Sequence, residues 1–119
     1  MSEEIVIIGK RKRFTLKEAR DMLPVIKNMT SQAAKKIQSI AKKNDVGHIN
    51  EADDDVQQQV HQVVQSWATN ITSLGCVPNG IWLVDFDNGQ GYFCWQYGED
   101  DVDHYHAYDT GFASRTAIN

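Results

Sequence analysis

The side chains able to do chemistry gather between residues 85 and 115. They are two carboxylates (Asp85 and Glu99), one thiol (Cys94), two imidazoles (His104 and His106) and one guanidinium (Arg115). His104 and His106 stand at i and i+2, which on a β-strand puts both on one face. That spacing suits a divalent metal such as zinc, with Glu99, Asp101 or Asp85 adding an oxygen ligand. The alternative is a pair of half-exposed histidines hydrogen-bonded to neighbouring carboxylates and tyrosines.

Cys94 with His106 is the one thiol–imidazole pair that could support a covalent mechanism. Cys94 sits mid-strand beside Trp95, however, among acids. Reactive thiols favour helix N-termini and electropositive pockets, so a small buried hydrophobe is the expected role. Arg115 is the only basic residue after Lys43. It is expected to pair with Glu99 or Asp85, either tying the C-terminal segment to the sheet or presenting a fork to a carboxylate or phosphate. Gly89-Gln90-Gly91 lacks the strand–turn–helix context of a phosphate loop.

These groups need elements to position them. Thr15 and Glu18 have capping-box spacing at the head of a helix. Apolar or small residues then recur at Leu16, Ala19, Leu23, Ile26, Thr30, Ala33, Ile37 and Ile40, alternating three and four apart. Pro24 falls inside this pattern and predicts a kink. Asn44, Gly47 and Asn50 break the period. Asp53, Asp54 and Asp55 then open a second helix, where carboxylates suit the positive end of the macrodipole. Its stripe is Val56, Val60, Val63, Val64, Trp67, Ile71 and Leu74, and Gly75 marks its stop. Residues 15–75 therefore read as a helical hairpin. The first helix is the longer, so its surplus stripe must be covered by the sheet or by a second copy.

After Gly75 the period becomes two. Asn88-Gly89 predicts a tight hairpin that pairs Asp85 with Tyr92, Val84 with Phe93, Leu83 with Cys94 and Trp82 with Trp95. One face carries Trp82, Val84, Phe86, Phe93, Trp95 and Tyr97 and is expected to pack on the helices. The other carries Ile81, Leu83, Asp85, Tyr92, Cys94 and Gln96, a mixture suited to a partly open surface. Val102, His104, His106 and Tyr108 alternate with Asp103, Tyr105 and Ala107, which predicts a third antiparallel strand. Ile5–Ile8 could add a short edge strand.

The 119 residues suit one domain, with the hairpin at about 15–75 and the sheet at about 80–115. The expected class is α+β: a long antiparallel helical hairpin packed on a small antiparallel sheet of three to four strands. Cys76 and Cys94 show no CxxC spacing, so two free thiols are expected. The net charge of −4 is divided unevenly. Residues 1–43 hold eleven Lys/Arg and four acids, whereas residues 44–119 hold one Arg and twelve acids. That asymmetry fits a two-fold homodimer or a charged partner, although solvated charge along a helix face is the plainer account. Lys10–Arg13 and the lysine face of the first helix could touch nucleic acid, but the cluster lacks interleaved aromatics and nucleic-acid binding is not expected. No membrane span or signal peptide is present in the pattern, and a cytoplasmic location is the expectation.

"FTLKEARDMLP", "LVDF", "CWQYGE", "YH" and "GFASR" occur in this order in residues 13–115. Together they resemble the bacterial Domain of Unknown Function 2203 family, for which no activity is established. The resemblance picks out Asp85, Cys94, Trp95, Glu99, His106 and Arg115 among its matching positions. It departs at Trp82, where the family has glycine, and His104 is not part of its pattern. The expected function is binding or interaction rather than catalysis. The polar surface comes from the sheet and the C-terminal segment, with Asp85, Cys94, Trp95, Glu99, His106 and Arg115 as candidate binding residues. Self-association as a homodimer is the expected partnership, a small anionic ligand or a protein could also bind, and no cofactor is expected. The alternative is a metal-binding module or metal-dependent enzyme using His104, His106 and Glu99.

Overall fold

A computed structural model describes residues 12–118. The expected strand at Ile5–Ile8 and the first two residues of the basic cluster lie outside that range. Helix α1 spans Leu16–Lys43. Its capping box is formed: Thr15 Oγ1 accepts from the Glu18 N–H at 3.1 Å, and Glu18 Oε1 accepts from the Thr15 N–H at 2.9 Å. The helix runs through Pro24 without interruption. A short 3-10 turn at Ile49–Glu51 leads to α2, Asp54–Ser73, capped by the Asp53 carboxylate on the Val56 N–H. The two helices pack as the hairpin the stripes predict, and a buried bond from Trp67 Nε1 to Thr30 Oγ1 at 2.9 Å crosses between them.

The sheet has five strands rather than three to four: β1 Val77–Pro78, β2 Leu83–Asp87, β3 Gly91–Gln96, β4 His104–Ala107 and β5 Thr116–Ala117. They lie in chain order and pair antiparallel throughout. The two added strands are two residues long, too short to show an alternation. Val102 precedes β4 and turns into the helix-side core, so the expected alternation holds only from His104 onward.

The hairpin register differs from the expected one by two residues. Asp85 pairs with Cys94, Val84 with Trp95 and Asp87 with Tyr92. The cause is local. Asp87 Oδ1 accepts from the Gly89 N–H, and Asn88 Oδ1 accepts from the Gln90 and Gly91 N–H groups. These side-chain bonds support a longer loop than the two-residue turn. A shift of two keeps every side chain on its face. Val84, Phe86 and Trp95 therefore still pack with Ala19, Leu23, Ile26, Trp67 and Ile71 in one core. Phe14 meets Phe86 edge-on at 5.4 Å, and Trp67 meets Trp82 edge-on at 5.0 Å.

Two backbone positions matter for the opposite face. Gly91 lies against β4 so closely that a Cβ there would sit 2.6 Å from the His106 carbonyl oxygen. Trp82, entering β2, has φ of +64°, a conformation suited to glycine. Among the described residues no helix is long and apolar enough to cross a membrane.

Candidate functional site

The face of the sheet turned away from the helices carries one residue from each of three adjacent strands. Asp85 comes from β2, Cys94 from β3 and His106 from β4, and all three are buried. Their ligand-type atoms lie within 4.8 Å of one another. The face is partly open, as its mixed composition implies: Ile81 and Gln96 are exposed and Leu83 and Tyr92 half-buried, while neighbouring groups cover its centre. Asn79, in the turn after β1, donates from Nδ2 to Asp85 Oδ2 at 2.9 Å. The Tyr92 ring lies 5.4 Å from the His106 ring, and Tyr108 meets Tyr92 edge-on at 5.1 Å. Tyr108 also donates its hydroxyl to Asp87 at 2.6 Å.

Both nitrogens of His106 are engaged. Nδ1 lies 2.9 Å from the Ala107 carbonyl oxygen, which can only accept, so Nδ1 carries a proton. Nε2 lies 3.2 Å from Asp85 Oδ1. A catalytic thiol–imidazole–carboxylate set would split the ring between the acid and the nucleophile. Here the ring is split between the acid and the backbone. Burial pushes the Cys94 thiol up to about 11, against the opposing pull of the hydrogen-bonded Arg115 guanidinium. Burial likewise raises Asp85 above the ordinary carboxylate value, with the His106 and Asn79 hydrogen bonds acting in the other direction.

Beside Cys94 lies a second cluster. Arg115 donates to both oxygens of Glu99, at 3.0 Å and 2.6 Å, in a bidentate fork. Glu99 Oε1 also accepts from the Gln96 N–H at 2.8 Å, and its backbone carbonyl accepts from Trp95 Nε1 at 2.9 Å. Burial pushes the Glu99 carboxyl up, but the Arg115 fork and the Gln96 N–H outweigh it and hold the group below its usual value. The guanidinium rests 4.2 Å from the centre of the Phe112 ring. Of the two partners the charge pattern allows, Glu99 and Asp85, Arg115 takes Glu99.

The metal set read from the sequence, His104 with His106 and Glu99, does not converge. His104 Nδ1 stands 3.8 Å from Glu99 Oε2, buried and without a hydrogen-bond partner, while His106 turns to Asp85. Residues i and i+2 on one strand are roughly 7 Å apart, whereas direct cross-strand partners such as Asp85 and Cys94 are closer, about 5 Å, and His106, opposite Tyr92, stands diagonally from Cys94. The group that meets is therefore assembled across strands: Asp85, Cys94 and His106. Trp95 belongs to the opposite face and is fully buried in the helix-side core, where a ligand on the polar face does not reach it. Asn79 orients Asp85 and was not among the expected site residues. It stands in a turn that carries no chemical pattern.

A family model described as an uncharacterized conserved protein (DUF2203) matches residues 12–118. Neither a curated protein nor a solved structure matches the chain.

Proposed function

The chain belongs to the DUF2203 family, and from its sheet geometry we propose that it is a small binding protein rather than an enzyme. Its binding residues are Asp85, Cys94 and His106, bordered by the Glu99–Arg115 fork. The observation that carries this reading is the wiring of His106. With Nδ1 held by the Ala107 carbonyl and Nε2 facing Asp85, no ring nitrogen is left to activate Cys94. The protonated, buried thiol supports the same conclusion.

Two measurements on the full chain test it. In the folded protein Cys94 is expected to react with iodoacetamide far more slowly than free cysteine at neutral pH. A thermal-shift panel of divalent cations, carboxylates and phosphates is expected to give at least one stabilising class. Thiolate-like labelling of Cys94 in the native state would contradict the reading. Self-association is part of the same proposal, supported by the stripe of α1 that α2 leaves half-covered at Ile37 and Ile40. Light scattering that gives a monomer mass at micromolar concentration removes it.

A further inference from the structure

We propose that Asp85, Cys94 and His106 are the ligands of a single zinc-type divalent transition-metal ion. A carboxylate oxygen, the Cys94 thiolate and His106 Nε2 would bind it. The inference rests on the reading of this face as a binding site and names its ligand class.

Position is the first argument. Each residue sits on a different strand of a continuous ladder, and Asp85 and Cys94 are direct cross-strand partners. A regular sheet fixes such side chains more firmly than loops do. The three ligand atoms lie within 4.8 Å of one another. A tetrahedral zinc ion holds its ligand atoms roughly 3–4 Å apart, so small side-chain rotations close the set.

Orientation is the second. A metal-binding histidine characteristically gives its other ring N–H to a carbonyl or carboxylate, which fixes the tautomer. His106 does this through Nδ1 and the Ala107 carbonyl, leaving Nε2 turned toward Asp85. Asn79 performs the matching task for Asp85, holding Oδ2 while Oδ1 faces the imidazole.

Chemistry is the third. One sulfur, one imidazole nitrogen and one carboxylate oxygen form a set suited to zinc or cobalt and poorly suited to magnesium or calcium, which take oxygen ligands. The thiolate and carboxylate charges balance the dication. The Arg115 charge beside them is already balanced by Glu99. Three protein ligands leave a fourth position for water or an exogenous donor.

The test uses untagged, full-length protein freed of metal with a chelator and titrated with Co²⁺. One ion per chain is expected, with a near-ultraviolet sulfur-to-cobalt charge-transfer band and intense visible bands of a tetrahedral site. Zn²⁺ should displace it. Cys94→Ser is expected to lose the charge-transfer band, and Cys76→Ser, altered in the helix-side core, to keep it. No band at saturating Co²⁺, or a band that survives in Cys94→Ser, overturns the site. Zinc-edge X-ray absorption on the unmutated protein gives an answer even if the variants do not fold. One sulfur neighbour is expected, and a shell of only nitrogen and oxygen overturns the site. A chain that takes up neither ion but is stabilised by another ligand refutes the metal and leaves the binding reading standing. Fast alkylation of native Cys94 refutes the binding reading itself.

Discussion

His106 Nε2 and Asp85 Oδ1 approach to 3.2 Å at the buried centre of the polar face. With Nδ1 donating to the Ala107 carbonyl, Nε2 can accept from a donor at position 85. Asparagine at position 85 satisfies the same contacts without a charge: its oxygen accepts from Asn79 and its amide donates to Nε2. Asp85→Asn is therefore expected to leave stability between unchanged and about 1 kcal/mol higher at neutral pH. It should nevertheless weaken Co²⁺ uptake at least tenfold. Urea unfolding and cobalt titration of one preparation check both halves. A strongly destabilised variant would show that Asp85 acts only as a core anion.

The Glu99–Arg115 fork makes a pH-dependent contribution. The Glu99 carboxyl lies below its ordinary value of 4.5 in the folded state. A depressed acid adds stability that is present above the unfolded value and is lost as pH falls through the folded one. Arg115→Gln is expected to cost about 1–2 kcal/mol at pH 7, after allowance for solvent at this half-buried pair. The difference from wild type should shrink below pH 4.5. Unfolding curves measured across the acid range check the sign, and a gap that widens in acid would refute it.

Much of this arrangement is legible in the residues themselves. The period-two pattern of 81–97 sets the two faces correctly, and it does so even though the register is off by two, because a two-residue slip conserves facing. The slip itself depends on the Asp87 and Asn88 side chains taking turn N–H groups, which residue type alone does not specify. The lone late arginine and its acidic surroundings narrow its partner to Glu99 or Asp85, and the fold selects Glu99. The convergent trio was harder to see. His104 and His106 advertise themselves by spacing along one strand, whereas Asp85, Cys94 and His106 meet only once three strands are in register. Asn79 and the Ala107 carbonyl carry no sequence signal at all.

Gly91 sets the distance between β3 and β4. A methyl group there would meet the His106 carbonyl oxygen at 2.6 Å and Ala107 Cα at 3.3 Å, both backbone atoms that cannot rotate aside. Gly91→Ala is expected to cost about 1–3 kcal/mol and to displace His106 from Asp85. Denaturant unfolding, with the His106 ring signals followed by NMR, checks this. Unchanged ring signals would show that β4 yields elsewhere.

Trp82 inverts the ordinary ranking of glycine and alanine. At φ of +64° a side chain is strained, and glycine is not. Trp82→Ala keeps the strain and loses the edge-on contact with Trp67; Trp82→Gly loses both. The glycine variant is expected to be the more stable of the two by about 1 kcal/mol. Paired thermal or urea melts check the order, and a more stable alanine variant would refute it.

Glu99 makes a second link between the C-terminal segment and the core, besides the β4–β5 pairing. Its carboxylate grips Arg115, near the end of the chain, while its carbonyl holds the indole of Trp95, among the deepest rings of the core. Beside the β4–β5 pairing, the C-terminal segment is thus riveted through Glu99 to the middle of the molecule. A protease that clips the chain just before Arg115 would therefore loosen the packing of the helices' own side of the sheet, far from the cut.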